Sequence, residues 1–418
     1  MFQEEFHKTI ISKLDQIGPW FEKRRAGLFL PFYASFDMRD SGFKISNVDA
    51  NIFPAGFNNI CQVDKDNAVD LARSYINDRY GSLELSNIGI LTEEHTNNPF
   101  YWENVRAIQE IIKEAGFEVR LMMPKQLDTN PIKVETVSGY ALTVYQADFE
   151  SDSVKAGDFK ADLVISNNDF SIAYDEKFDG KDYRMNPSRQ LGWYQRKKSN
   201  YFDQYNKLAT EFSEFLGIDP WLITIGSRRF PDFDIKSEES RKALSDVVDS
   251  MIAELKEEYS KRGIEQEPVV FIKNNSGTYG LGILQVKSGQ EVLDWNNKSR
   301  KKMKAAKGGR DIEELIIQEG IPTAIQSDDS TAEPAIYMIG CSLAGGFLRA
   351  HSKKGPNESL NSPGAVYKRL CVSDLEIDVE GKPLENVYGW IAKLGILAIG
   401  RETQEMKITY KDYKLYEG

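Results

Sequence analysis

The chain has 418 residues, of which 41% are hydrophobic and 28% charged, with a net charge of −11; this is globular composition with room for two or three packed units. The acidic balance argues against nucleic acid or anionic lipid as partners. No apolar run is long enough to suggest a membrane span, and the acidic, amphipathic opening MFQEEFHKTIISKLDQI reads as neither signal peptide nor anchor.

Phe2, Phe6, Ile10, Leu14 and Ile17 recur at helical spacing and predict a helix over 2–17, stopped by Gly18-Pro19. LFLPFYASFDMRD and KISNVDANIF predict two strands around the turn Asp40-Ser41-Gly42. A helix at Asp66–Tyr80, a strand at Asn87–Leu91, a helix at Trp102–Ala115 and a strand at Glu118–Met123 follow. Gly116 stands where a helix C-cap belongs. This run predicts parallel α/β structure, with ligands beyond the strand C-termini. Ala161–Ile165 is a further apolar run, 174–189 reads as a loop or boundary, and 190–216 as helix. A long helix over 238–262 carries Leu244, Val247, Val248, Met251, Ile252 and Leu255 on one stripe. Strands are expected at Val269–Ile272, Ile283–Val286, Leu315–Gln318, Ala335–Ile339 and Phe347–Ala350, and a last helix over 384–400. The fold class is therefore α/β (α+β): a parallel α/β domain at 1–185, then a two-lobed nucleotide-binding unit with lobes at 186–320 and 321–418.

Three scattered cysteines (Cys61, Cys341, Cys371) and three histidines, none at metal-ligand spacing, predict reduced thiols in a cytosol and no zinc site. The strand at 269–272 runs into Lys273-Asn274-Asn275-Ser276-Gly277-Thr278-Tyr279-Gly280-Leu281-Gly282. Glycines let the backbone approach an anion, successive N–H groups bind it, and a strand-end lysine adds a point charge. A P-loop would need Gly-x4-Gly-Lys-Ser/Thr before a helix, whereas Lys287-Ser288 follows Val286. A glycine loop between antiparallel strands is shared by kinases and ATP-grasp enzymes, and no kinase-type catalytic Asp loop is present. A plain β-hairpin with a glycine-rich turn is the competing reading.

Gln318, Glu319 and Ile321 lie in a strand that resembles the ATP-grasp hinge, whose backbone holds adenine and whose acidic residue reaches the ribose. Arg349 resembles the strand-end arginine that stabilises a transferring phosphoryl group in ATP-grasp ligases. Glu358 and Asn361 resemble that superfamily's Mg²⁺ ligands, at Glu-x-x-Asn rather than Glu-x-Asn spacing. Glu333 is an equal candidate, and a solvated Asn-Ser-Pro-Gly turn is the bland alternative. Lys198, in GWYQRKKSNYF, stands where a first phosphate-binding lysine is expected, and Arg196 beside it is a substrate-binding candidate. The basic stretch Arg300–Arg310 reads as a solvated face or a loop closing over nucleotide. On the substrate side, Arg39 and Lys44 are candidates to clamp carboxylates. Asp49, Asn51, Asn58 and Asn59 are candidates to fix an amino group or amide. Glu94 follows a strand at a ligand-facing position, next to His95, a residue type more often structural than catalytic.

FDMRDSGFKISNVDANIFPAGFNN, GWYQRKKSNYF, FIKNNSGTYGLGI, QEGI and FLRAHS…NSPGAVY together resemble the proteobacterial glutamate–cysteine ligases first described in an iron-oxidising bacterium, a family built like an ATP-grasp protein. The resemblance runs from about residue 20 to 404, and VDANIFPAGFNN is its most specific element. It implies a cytoplasmic enzyme that uses ATP and Mg²⁺ to join glutamate and cysteine through a γ-glutamyl phosphate, opening glutathione synthesis. Its partners would be small molecules, not nucleic acid or membrane, with homo-oligomerisation left open. Another ATP-grasp carboxylate–amine ligase and a non-catalytic nucleotide-binding module are the alternatives.

Overall fold

The computed structural model describes residues 2–94, 97–277, 283–295, 314–371, 376–379 and 382–417. The first helical stretch is two helices, α1 (Phe2–Ser12) and α2 (Leu14–Arg25), and Pro19 lies inside α2 rather than ending it. Ile17 and Trp20 on α2 are buried, Trp20 packs 5.0 Å from the Phe212 ring, and Arg24 covers the indole at 3.6 Å. That packing outweighs the one backbone hydrogen bond a helical proline removes.

The predicted hairpin forms as β1 (Tyr33–Asp40) and β2 (Ile45–Asn51), followed by α3 (Gln62–Tyr80). Next come β3 (Asn87–Thr92), α4 (Pro99–Glu114) and β4 (Glu118–Met123), a parallel βαβ unit as expected. Gly116 has φ +103° and donates to Lys113 O, closing α4 in the way its position suggested. With β5 (Ile132–Glu135), β6 (Ala141–Gln146), β7 (Leu163–Asn167) and β8 (Met185–Asn186), these strands form a sheet in the order β8-β7-β3-β4-β6-β5, parallel except at β5.

Helix was expected from 190, but α5 spans only Lys198–Leu216. The segment before it is pinned elsewhere: Trp193 N donates to Asp169 O and Tyr194 N to Phe170 O, and a side chain at Gly192 would meet the Phe170 Cβ at 2.3 Å. After β9 (Ser227–Phe230) comes α6 (Glu238–Lys261), whose predicted stripe packs on Val270, Ile272 and Ile317. Each such aliphatic side chain stabilises the lobe by ~1.5–3 kcal/mol. Those partners belong to β10 (Val269–Asn274) and β12 (Leu315–Gly320), which with β9 and β11 (Leu284–Val286) make an antiparallel sheet ordered β9-β12-β10-β11.

The last sheet contains β13 (Ser330–Ile339), β14 (Ser342–His351) and β15 (Val366–Leu370), in the order β15-β14-β13-β1-β2. The hairpin from residues 33–51 thus completes a carboxyl-terminal sheet, with Tyr33 opposite Ile339 and Asp37 opposite Ala335. α7 (Val387–Glu405) packs behind it, buried almost all round and N-capped by Asn386. Gly395 lets α7 approach the Phe36 ring, where a Cβ would sit 2.5 Å away.

The cysteines depart from expectation. Cys61, at the N-cap of α3, and Cys371, just past β15, form a disulfide with a Cα–Cα distance of 5.8 Å, and Cys341 takes no part in one. Their separation of 310 residues hides the pair from any spacing argument; only the packing of α3 against the β13–β15 sheet brings them together.

Candidate active site

A cleft lies between the β9–β12 sheet and the β1–β2–β13 face of the last sheet. Strand alternation sets both walls. On β10, Phe271 and Lys273 face the cleft together, and Gln318 on β12 pairs in register with Phe271. On the opposite wall, Asp37 pairs with Asp49 across β1–β2, and Glu333 on β13 pairs with Arg349 on β14. Ser359 and Asn361, from the connection between β14 and β15, line the remaining side.

Two lysines converge on Asp49. Lys198, the first residue of α5, forms an ion pair with it. Lys273 is buried, bonding the Gln318 Oε1 and, at 3.1 Å, Val48 O. Burial pushes the Lys273 ammonium down to about 8, against the opposing pull of Asp49. Burial pushes the Asp49 carboxyl up, but Lys198 and Lys273 outweigh it and hold the group below its ordinary value. The N-terminus of α5 is bolted to the start of the glycine loop: Lys198 N donates to Asn275 O at 2.8 Å, and Ser199 N to the Asn275 Oδ1 at 2.8 Å. The positive end of the α5 dipole and two cations therefore meet beside Gly277, a combination that attracts phosphate even though the Lys198 and Ser199 N–H groups are spent on Asn275.

A second charged group lies across the cleft. Arg349 donates from Nη1 to Asp37 Oδ2 (2.9 Å) and Glu333 Oε1 (2.7 Å), and from Nη2 to Asp37 Oδ1 (3.1 Å). Glu333 Oε2 forms an ion pair with Arg39 Nε at 2.7 Å. The other Arg39 nitrogens hold the Pro356 and Glu358 carbonyls at 2.8 and 2.7 Å. Burial raises the Asp37 carboxyl, with Arg349 opposing. Arg39 thus fastens the segment carrying Ser359 and Asn361 to β1, and each of its three nitrogens already has a protein partner.

The structure gathers Lys198, Lys273, Gly277, Gln318, Glu319, Ile321, Arg39, Asp49, Glu333 and Asn361 around this cleft, and Arg349 reaches it through Asp37 and Glu333. Ser276 directly precedes Gly277, and its N–H donates to Asn274 Oδ1. Thr278, Tyr279, Gly280, Gly282, His95 and the basic stretch 300–310 lie outside the described residues. Other candidates have different surroundings. Lys44 is buried against Glu319, with Nζ–Oε distances of 2.9 and 2.8 Å. Arg196 grips Glu402 with Nε and Nη2, both side chains at most 2% exposed. Asn58 donates to its neighbour Asn59, and Glu94 accepts from the Tyr174 hydroxyl at 3.0 Å. Asn51, at the end of β2, is outside the cleft lining. The Glu358 carboxylate takes Lys354 and Gly355 N, both at 2.8 Å.

Sequence reasoning missed Asp37. The signal was present, since FDMRD in a strand puts residues 37 and 39 on one face, but only its arginine was considered. Among the candidate cation ligands, Glu333 and Asn361 line the cleft with hard oxygen donors of the kind a divalent ion such as Mg²⁺ takes, but both Glu333 oxygens are already paired, with Arg349 and Arg39, and the Glu358 carboxylate is paired with Lys354 and Gly355 N.

A family model for GshA, glutamate-cysteine ligase, matches residues 7–403. A crystal structure from Methylobacillus flagellatus KT, provisionally named a gamma-glutamylcysteine synthetase, superposes with a TM-score of 0.86 at 32% identity over 96% of each chain. The D-alanyl-alanine synthetase A of Vibrio cholerae reaches a TM-score of only 0.32 at 12% identity, covering 80% of this chain and 88% of its own, too little to carry an argument. No curated protein matches the sequence.

Proposed function

Because this chain belongs to the glutamate–cysteine ligase family, an ATP-dependent enzyme family whose product γ-glutamylcysteine is the precursor of glutathione, we propose that the cleft between the β9–β12 sheet and the β1–β13 face is where the reaction runs. The observation that carries this reading is the convergence of Lys198, Lys273 and the N-terminus of α5 on one point beside the β12 strand.

ATP lies with its adenine along Gln318–Ile321, in the manner of an ATP-grasp hinge. The Gln318 Nε2 is buried with no partner among the described residues, and adenine supplies the acceptor it lacks. Lys198 and Lys273 hold the phosphates beside Ser276 and Gly277, and Thr278, Tyr279, Gly280 and Gly282 are the further residues assigned to ATP binding. Asn361 and Glu333, the latter on giving up one of its arginine pairings, would hold Mg²⁺, which would supply charge neutralisation at the phosphates. A γ-carboxylate oxygen of glutamate attacks the γ-phosphorus, ADP departs with the electrons of the broken P–O bond, and γ-glutamyl phosphate forms. The cysteine amine then attacks the acyl carbon and loses a proton, and phosphate leaves with one former carboxylate oxygen. Arg349 is the fixed cation for charge developing at the transferring phosphoryl group, a role of positioning and electrostatics rather than nucleophilic catalysis. Two substrate-side candidates stay in the cleft: Arg39, whose nitrogens are all paired with protein, and Asp49, which balances the two lysines before phosphate enters.

In this reading the chain divides into 1–185, 186–320 and 321–418, although the 33–51 hairpin of the first part pairs with the sheet of the last, and the enzyme works in the cytoplasm, where ATP is available. Glutamate labelled with ¹⁸O in its γ-carboxylate tests the route. One label should appear in released phosphate, strictly with ATP and cysteine present; label retained wholly in the peptide and water would exclude the acyl phosphate.

A further inference from the structure

Asp37 has no part in the mechanism above, yet it is a buried carboxylate in the cleft wall and takes two donors of Arg349. A guanidinium has five N–H groups, and paired N–H bonds to an oxyanion are its strongest mode of recognition. In Arg349 the Nη1–Nη2 edge is held by the two Asp37 oxygens, and Nη1 also serves Glu333. What remains is the Nε–Nη2 edge. Its Nε is buried with no partner among the described residues, although a buried N–H without an acceptor is costly to keep. Glu333 cannot replace Asp37 in this grip, because its second oxygen is held by Arg39.

We propose that Asp37 is a positioning residue of the reaction: by holding one edge of Arg349 it orients the guanidinium so that the Nε–Nη2 edge receives the transferring phosphoryl oxygens. This rests on the phosphoryl-stabilising role given to Arg349. Without the Asp37 grip the guanidinium can turn onto Glu333 alone and aim its vacant edge elsewhere. A purely electrostatic role for Asp37 makes a different prediction. Asp37, Glu333, Arg39 and Arg349 sum to zero charge, so removing the Asp37 charge leaves a positive site that should bind nucleotide better without harming turnover.

The experiment is a mutant cycle on the full-length enzyme with D37N, D37E, R349A and D37N/R349A. It measures kcat, the KM values for ATP and glutamate, and glutamate-dependent positional isotope exchange in ATP, which reports acyl phosphate formation without cysteine. D37N should lower kcat roughly 100-fold and slow the exchange in parallel, with the KM for ATP unchanged or lower. D37E should recover part of the loss. In the R349A background, D37N should change kcat by less than about two-fold, because residues acting as one unit are not additive. Wild-type turnover in R349A would remove the reading of Arg349 itself. A normal R349A effect with full turnover in D37N, or an equal D37N loss in both backgrounds, would overturn the role of Asp37 alone. Circular dichroism showing that D37N and D37E both fail to fold would likewise overturn it, by making Asp37 a scaffold.

Discussion

Lys44 and Glu319 are 275 residues apart in sequence and 2.8 Å apart in the structure, each side chain only 1% exposed. The Glu319 carboxylate also accepts from Gly226 N at 2.9 Å, and the Lys44 ammonium sits 4.4 Å from the Trp221 ring centroid. Burial pushes the ammonium down and Glu319 counters it. The pair fixes β12, the strand that brings Gln318 to the cleft.

Lys44→Met should therefore act on the nucleotide side. It leaves a buried carboxylate without its counter-charge, a change that costs ~3–5 kcal/mol. Urea unfolding should show this loss, and the KM for ATP should rise more than those for glutamate and cysteine. A selective rise for an amino acid would return Lys44 to the substrate pocket.

Arg196→Ala should behave as a core mutation. Arg196 holds Glu402 and, at 3.1 Å, the Ala50 carbonyl, and burial raises the Glu402 carboxyl against the pull of Arg196. The expected loss is again ~3–5 kcal/mol of stability, read by urea unfolding, with amino-acid KM values close to wild type in whatever protein folds.

Lys273 sets a pH limit. Its folded pKa of about 8 lies below the ordinary 10.5, so the ammonium is charged below about 8 and loses its proton as pH rises through it. The value kcat/KM for ATP should fall along that limb, since this parameter reports the free enzyme. The limb should be weaker in kcat, because bound phosphate favours the charged form. The stability sign is opposite: the unfolded lysine keeps its proton up to about 10.5, so the cost of burying the cation is present below about 8 and fades as pH rises through that window. Lys273→Arg should abolish the limb; an unchanged pH profile in that variant would assign it to another group.

The Cys61–Cys371 bond is open to direct count. Denatured without reductant, the protein should expose one reactive thiol, Cys341; after reduction it should expose three. Reduction should also lower stability, by ~2–4 kcal/mol on the chain-entropy account of such links. Cys371→Ser should reproduce the loss without reductant, measured by the denaturant midpoint.

Local pattern made much of the chain legible. The stripe on α6, the β3–α4–β4 unit and the hairpin at 33–51 follow from periodicities of 3.6 and 2.0 that each segment carries by itself. The motifs from VDANIFPAGFNN to NSPGAVY likewise sufficed for the family, Lys273 and Gln318 stand out in the sequence itself as strand-end residues, and Lys198 stands out by its place in GWYQRKKSNYF. Pro19 and the late start of α5 were misread because tertiary packing of Trp20 and Phe170 overrides local preference there.

The pairing of charges could not be read in the same way. Nothing local to Arg39, Lys44, Arg196 or Arg349 distinguishes a cation that waits for substrate from one already matched to a carboxylate. Their partners Glu333, Glu319, Glu402 and Asp37 arrive from strands and helices up to 312 residues away. Sequence alone determined which segments become strands and helices, because backbone geometry imposes those periods within a few residues. Which buried cation meets which carboxylate was decided only when the 33–51 hairpin entered the carboxyl-terminal sheet beside β13, since a charge withdrawn from water must find its counter-charge among whatever the topology brings within reach.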